Sequence, residues 1–222
     1  MNGLSRMVVV GLGMWAALSL VGCATGRGQL FEAAKSGTRA DVEAALKLPN
    51  ASANLNAKNG DQNTPLIEAA DAGNVEATKA LLDAGADPGL GDEDKDTPMH
   101  FAVRKGTGEI VAALLEKGGN PNAQNENGDT PLHLAANKGN FDLVVMLLNK
   151  GGDPNIQEQD RWTSLHYAAK SGYLEVAKAL LDKGANPDLR NKDGQTAAQL
   201  AASKGYRAVA DAINAKAGIP TR

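Results

Sequence analysis

Apolar residues are distributed along this chain in two ways. From Met7 to Leu20 they form a 14-residue run. Beyond Leu30 they come in short, helix-sized groups set off by glycines and polar turns, and the groups return at a fixed interval. TPLIEAADAGN begins at Thr64, TPMHFAVRKGT at Thr97, TPLHLAANKGN at Thr130, TSLHYAAKSGY at Thr163 and TAAQLAASKGY at Thr196, a spacing of 33 throughout. A second apolar group follows, ending in a leucine pair and a glycine: Leu81-Leu82 before Gly85, Leu147-Leu148 before Gly151, Leu180-Leu181 before Gly184. A fixed period of this size predicts a stacked solenoid rather than one closed globule. Helices this short are marginal alone. They hold only where each repeat buries its apolar face against the next.

Each repeated residue has a mechanical role. The threonines at 64, 97, 130, 163 and 196 stand where a hydroxyl caps the free amides of a helix start. Pro65, Pro98 and Pro131 follow at the first helical position, where a missing N–H is harmless. Gly73, Gly106, Gly139, Gly172 and Gly205 are placed to end that helix in a left-handed conformation. Asn127-Gly128 and Asp193-Gly194 are hairpin-turn pairs. The T-P-L-H tetrad, the following A-A and the glycine together resemble the ankyrin family, over nearly all of the chain after residue 28. The resemblance implies an all-α solenoid of six helix-turn-helix repeats joined by β-hairpin-like loops.

The expected repeats run over 29–63, 64–96, 97–129, 130–162, 163–195 and 196–218, with a tail at 219–222. The outer two differ as a stack requires. LFEAAKSGTRADVEAAL, from Leu30 to Leu46, lacks the T-P start and reads as an N-terminal cap; the loop after it is three residues longer than the others. Asn214 replaces the leucine of Leu82, Leu115, Leu148 and Leu181, as suits a terminal helix facing water.

The run from Met7 to Leu20 follows the single basic residue Arg6; it is long enough for a secretory signal and short for a membrane span. It leads into Leu20-Val21-Gly22-Cys23, which resembles the lipobox of bacterial lipoproteins. The resemblance implies a signal peptide over 1–22, a lipid on Cys23 and a short linker over 23–28. An uncleaved anchor and a chance cysteine are the alternatives. Cys23 is the only cysteine, so the lipidated form would carry no free thiol and no disulfide. Removing residues 1–22 deletes one Arg and leaves 22 basic against 26 acidic residues, which argues against general nucleic-acid binding. Ala24 is not the aspartate that marks inner-membrane retention in enteric-type lipoproteins. The expected location is therefore the bacterial cell envelope, at an outer membrane and facing the periplasm.

Candidate chemistry is sparse. His100, His133 and His166 each close a tetrad, and the resemblance implies a structural role, the ring bonding turn backbone. Neighbouring repeats stand about 10 Å apart, too far for a shared metal. There is no phosphate-cradling G-x-x-x-x-G-K, no H-E-x-x-H and no G-x-S-x-G. Asp92 to Asp96 form a charged run that suits calcium, a basic partner or simply a solvated tip. No enzyme, cofactor or metal is expected.

Ankyrin proteins usually dock partners on hairpin tips and on the concave face of the first helices. By position that face takes in Asp71, Arg104, Lys105, Asn137, Lys138, Lys170, Ser171, Ser203 and Lys204. The tips take in Asn63, Asp96, Asp129, Trp162 and Gln195. A basic stripe beside acidic tips favours oriented docking. Trp162 and its neighbour Arg161 stand out, because these residue types are enriched at binding hot spots; packing on a neighbouring hairpin is the other use of such a tryptophan. The expected partner is a protein, bound by an otherwise monomeric, membrane-tethered module that inhibits, protects or positions an exported protein. The rival expectation is a surface-displayed lipoprotein that engages host or prey molecules.

Overall fold

The computed structural model describes residues 26–50 and 54–218. The apolar run, Cys23 and the tail at 219–222 lie outside the described residues. Among the described residues there are twelve helices and no strand. They pair as α1 (Gly26–Ser36) with α2 (Arg39–Ala45), α3 (Pro65–Ala72) with α4 (Val75–Asp83), and α5 (Pro98–Lys105) with α6 (Gly108–Glu116). Then come α7 (Pro131–Lys138) with α8 (Phe141–Asn149), α9 (Ser164–Ser171) with α10 (Leu174–Asp182), and α11 (Ala197–Ser203) with α12 (Arg207–Lys216). The first helix of each pair packs on the first helix of the next, and the second on the second, giving an inner and an outer row. Helix α1 starts at Gly26, inside the stretch expected as linker. Its first turn lies against Leu48 and the Pro49 carbonyl.

The core is built of columns at the repeat spacing. Leu81, Leu114, Leu147, Leu180 and Ile213 each stand at 0–1% exposure in the outer row. The inner helices carry buried small pairs, Ala69-Ala70, Ala102-Val103, Ala135-Ala136 and Ala168-Ala169, whose slight bulk lets the rows approach. Asn214 is half-exposed on the last helix. On the outer row Asp83 takes Lys117 at 2.9 Å and Arg39 at 3.0 Å, ion pairs that hold its carboxyl below the usual range, Lys117 foremost. Pairs this exposed contribute little to stability.

Helix starts follow the sequence. Thr64 accepts from Ile67 N at 3.2 Å, and Pro65, Pro98 and Pro131 occupy the first turn. Asn74 and Asn140 cap α4 and α8, whereas Tyr173 and Tyr206 occupy the same slot before α10 and α12 without capping them. Their rings lie instead across Gly139 and Gly172 of the preceding repeat, where an added Cβ would come within 2.7 and 2.6 Å. Those two glycines thus serve a left-handed turn and a close aromatic contact together.

The loops between repeats are five-residue fingers over 59–63, 92–96, 125–129, 158–162 and 191–195. In each, the first N–H donates to the fifth carbonyl, at 2.9–3.1 Å. The fourth residue is left-handed: Gln62, Lys95, Gly128, Arg161 and Gly194, φ 60–81°. One isolated bridge, Arg190 to Thr196, is the extent of β pairing among the described residues. Successive fingers are joined by Glu126 N to Asp94 O (2.7 Å), Gln159 N to Asn127 O (3.0 Å) and Lys192 N to Asp160 O (2.9 Å).

Gly172 and Gly205 separate backbone strain from crowding. Both are left-handed, at φ 75° and 84°, but nothing lies within 4 Å of a Cβ at 205. Gly205→Ala is expected to lose about 1–2 kcal/mol. Gly172→Ala should lose clearly more, and adding Tyr206→Ala should remove that excess relative to Tyr206→Ala alone. Urea denaturation midpoints of the four variants measure it.

Candidate functional site

The three histidines are consumed by the fold. Nδ1 of His100 accepts from Thr97 N at 3.1 Å, of His133 from Thr130 N at 3.0 Å, and of His166 from Thr163 N at 3.2 Å. Nε2 then donates to a carbonyl of the next loop: Asp129 O, Ile156 O and Gln195 O, at 3.0, 3.0 and 3.1 Å. Because Nδ1 receives a backbone N–H and Nε2 faces a carbonyl, the neutral Nε2–H tautomer satisfies both. Burial lowers all three from the ordinary value, His133 to about 4. In the last repeat Gln199 holds the position, its Oε1 accepting from Thr196 N at 3.0 Å. No group of three His, Cys, Asp or Glu gathers as a metal site among the described residues.

The fingers carry a second polar device. The first residue of each braces the turn: Oδ1 of Asn125 accepts from Asn127 N and Asp129 N, at 3.1 and 2.9 Å. Its Nδ2 donates to Asp96 Oδ1 on the preceding finger, 29 residues back, at 3.0 Å. That is the rung a complete ladder would repeat. The next rung places Glu158 opposite Asp129, two carboxylates. The one after places Asn191 opposite Trp162, which has no acceptor, and Asn191 Nδ2 is buried without a partner. Of the three rungs without this bond, two belong to the fourth finger, 158–162; in the first, Asn63 Nδ2 donates to Glu68 at 3.0 Å rather than to Asp92.

This changes the meaning of several residues read from sequence. Asp96, Asp129 and Trp162 are not at the apices; each is the fifth finger residue, where the chain turns into the inner helix. Asp96 is 8% exposed and paired with Arg104 at 2.8 Å, and the Arg104 guanidinium sits 4.5 Å over the Phe101 ring. Lys138 Nζ donates to the Arg104 carbonyl, Lys105 lies across Gly73, and Asn137 is exposed. Arg161 is exposed and left-handed at φ 60°, where the third and fifth fingers have glycine. Trp162 packs on the inner helix after it: 5.3 Å from the Tyr167 ring and 6.0 Å from His166, with Lys170 Nζ 5.2 Å over its face. The structure thus joins Trp162 to Lys170 and Asp96 to Arg104.

Tyr167 and Glu158 were not read from the sequence as site residues. Glu158 is signalled by its register, which carries Asn59, Asp92, Asn125 and Asn191 elsewhere. Its two carboxylate oxygens accept from Asp160 N and Trp162 N, at 2.9 and 2.8 Å. Tyr167 stands where Phe101, Leu134 and Leu200 stand. Burial, then the charges of Asp129, Glu158 and Asp160, push its phenol upward. Burial also raises the Asp129 carboxyl, and Glu158 and Asp96 raise it further. Around Trp162 and Tyr167 opens a pocket of about 440 Å³ walled also by Glu158, Asp160 and Lys170, and by Lys192 and Asp193 of the next finger.

Repeated helix pairs, threonine-histidine caps and stacked fingers are what an ankyrin stack consists of. The family described as ankyrin repeats (3 copies) matches residues 30–125 and 117–191, and the chain belongs to it. No curated protein matches the chain. Ankyrin repeats are generally non-enzymatic protein–protein interaction modules, and a protein partner is implied.

Two measurements check these assignments. His133 keeps its proton off down to about pH 4 when folded, whereas an unfolded histidine takes one up near 6.5. Its share of stability is therefore complete above pH 6.5 and is lost as pH falls towards 4, by roughly 3 kcal/mol. His133→Gln should retain the cap, as Gln199 does, and flatten that part of a stability–pH curve. Asp129→Asn should raise the melting temperature at pH 7, because it removes a carboxylate disfavoured by burial and by Glu158.

Proposed function

We propose that this protein is a lipid-anchored ankyrin module of the bacterial envelope that holds an exported protein partner on its fingers and inner helices. The observation that carries the binding half is the fourth finger. It departs from the inter-finger ladder at both ends while presenting a half-buried tryptophan, an exposed arginine and a pocket. Local rules broken without a stabilising return are what a binding site is expected to show. The acidic fingers and the lysines of the inner helices give a partner fields of opposite sign to align with.

The tether half rests on Leu20-Val21-Gly22-Cys23. In this reading the chain is cut before Cys23, the thiol carries lipid, and the protein faces the periplasm from the outer membrane. Only Ala24 and Thr25 separate Cys23 from α1, a reach of about 10 Å. The first repeat then sits at the bilayer surface, and the fourth finger lies further along the stack. A partner is held near the membrane without touching it, which suits inhibition, protection or positioning of an exported protein.

Cys23→Ser should shift the protein from the membrane fraction to an uncleaved or soluble form, since a hydroxyl does not form the thioether. A native N-terminus other than lipidated Cys23 by mass spectrometry overturns the anchor. In pull-downs from solubilised membranes, Trp162→Ala should weaken partner capture by about 2 kcal/mol or more. Its lost contacts with Tyr167 and His166 should also lower stability by about 1 kcal/mol. Arg161→Gly relieves the left-handed residue, so it should bind less well without melting earlier. Unchanged capture in both variants removes the fourth finger from the interface.

A further inference from the structure

The pocket beside Trp162 reads as a site for one kind of side chain. Three carboxylates, Asp96, Asp129 and Glu158, follow one another along the finger bases. Arg104 neutralises Asp96, and Lys192 holds Asp160 at 2.9 Å. Among the described residues neither Asp129 nor Glu158 forms an ion pair, although Glu158 is 8% exposed and Asp129 half-buried. Where the previous rung places an amide against Asp96, this one places one carboxylate against another. Arg104 and the Tyr167 hydroxyl offset this at Asp129 only in part, and a further cation would relieve the pair. The aromatic wall asks for the same thing. Trp162 and Tyr167 stand 5.3 Å apart, and the chain's own Lys170 ammonium already rests 5.2 Å from the Trp162 centroid, inside cation–π range. Lys170 is exposed, so a better-fitting cation can displace it.

We propose that this pocket receives an arginine side chain of the protein partner, its guanidinium stacked on Trp162 and Tyr167 and directed towards Glu158, whose negative field the neighbouring Asp129 reinforces. Arginine suits the site better than lysine because a planar guanidinium stacks on an aromatic face while its edge donates to carboxylates. Glu158 already uses both oxygens on backbone N–H groups and retains further lone pairs for such a donor. The assignment rests on the protein-binding reading above and gives it the chemistry of its central contact.

The chain has two tryptophans, Trp15 and Trp162, so the full-length Trp15→Phe protein in detergent reports on Trp162 alone. It is titrated with acetyl-Gly-Arg-Gly-amide, with the citrulline counterpart, which has nearly the same shape without the charge, and with acetyl-Gly-Glu-Gly-amide. A saturable change in emission is expected with the arginine peptide, with at least roughly tenfold weaker binding of citrulline and no response to glutamate. Asp129→Asn and Glu158→Gln should each weaken the arginine peptide by about tenfold, while Glu116→Gln, at an exposed acid of the outer row, leaves it unchanged. Thermal melts by circular dichroism confirm that each variant is folded. No saturable response, an equal response to citrulline, or a response to glutamate overturns the proposal. Partner capture lost in Trp162→Ala yet intact in Asp129→Asn and Glu158→Gln also overturns it, while leaving the binding module in place.

Discussion

The structure depends on one constraint: the apolar face of each repeat has no cover except the next repeat. The column Leu81, Leu114, Leu147, Leu180 and Ile213 is buried only because the spacing between its members never varies. Apolar contact alone would tolerate a sliding stack, since leucine against leucine is much the same one turn along. Polar contacts prevent this. Each histidine reaches a carbonyl of the following loop, and Asn122 and Asn155 receive N–H groups of the next loop at 2.7 Å. A slipped stack would leave the buried histidine rings unmatched, at about 1–3 kcal/mol each, and would break the more exposed asparagine bonds as well. Burial supplies the driving force and the hydrogen bonds supply the register.

The same logic explains why the chemistry in this chain is confined to its surface. Histidine, the usual base, is committed on both ring nitrogens and held neutral by burial. The remaining versatile groups lie on the fingers, whose shape is fixed by their own backbone bonds and one bracing side chain. A finger can therefore change its apex, or even its base, without altering the core beneath. Tyr173 and Tyr206 make a related trade on the opposite side of the inner helices, giving up a helix cap for an aromatic contact with the preceding repeat.

Much of this was legible in the residues. Thr64, Pro65 and Gly73 specify a helix start and stop by local chemistry, and repetition removes the ambiguity that any one copy would leave. The family and the all-α stack follow from that. The finger bases were harder to read. Asp96 and Asp129 look like exposed acids because the local sequence is polar, and their burial is set by a neighbour 29 residues away that no local pattern reveals. Trp162 was conspicuous, but its attachment to Tyr167 depends on the finger folding down onto the inner helix after it. Glu158 passed unnoticed because a glutamate in a polar loop is unremarkable until the loop is aligned against Asn125 and Asn191. The sequence around Cys23 speaks to anchoring by resemblance alone, and nothing in the described residues bears on it.

A solenoid is also the architecture in which a defective rung can be kept. Stability here is close to a sum over neighbours, so the unfavourable Asp129–Glu158 rung and the unpartnered Asn191 amide weaken two adjacent interfaces and leave the others intact. In a closed globule the same buried carboxylates would be coupled to the whole core. Their position matters too. The fourth finger lies where repeats continue on both sides, so flanking columns hold it in place. At either end of the stack the same mismatch would fray the terminal helix pair. An unsatisfied rung in the interior is therefore a stable feature of the free protein, and the guanidinium proposed above would meet groups already in position.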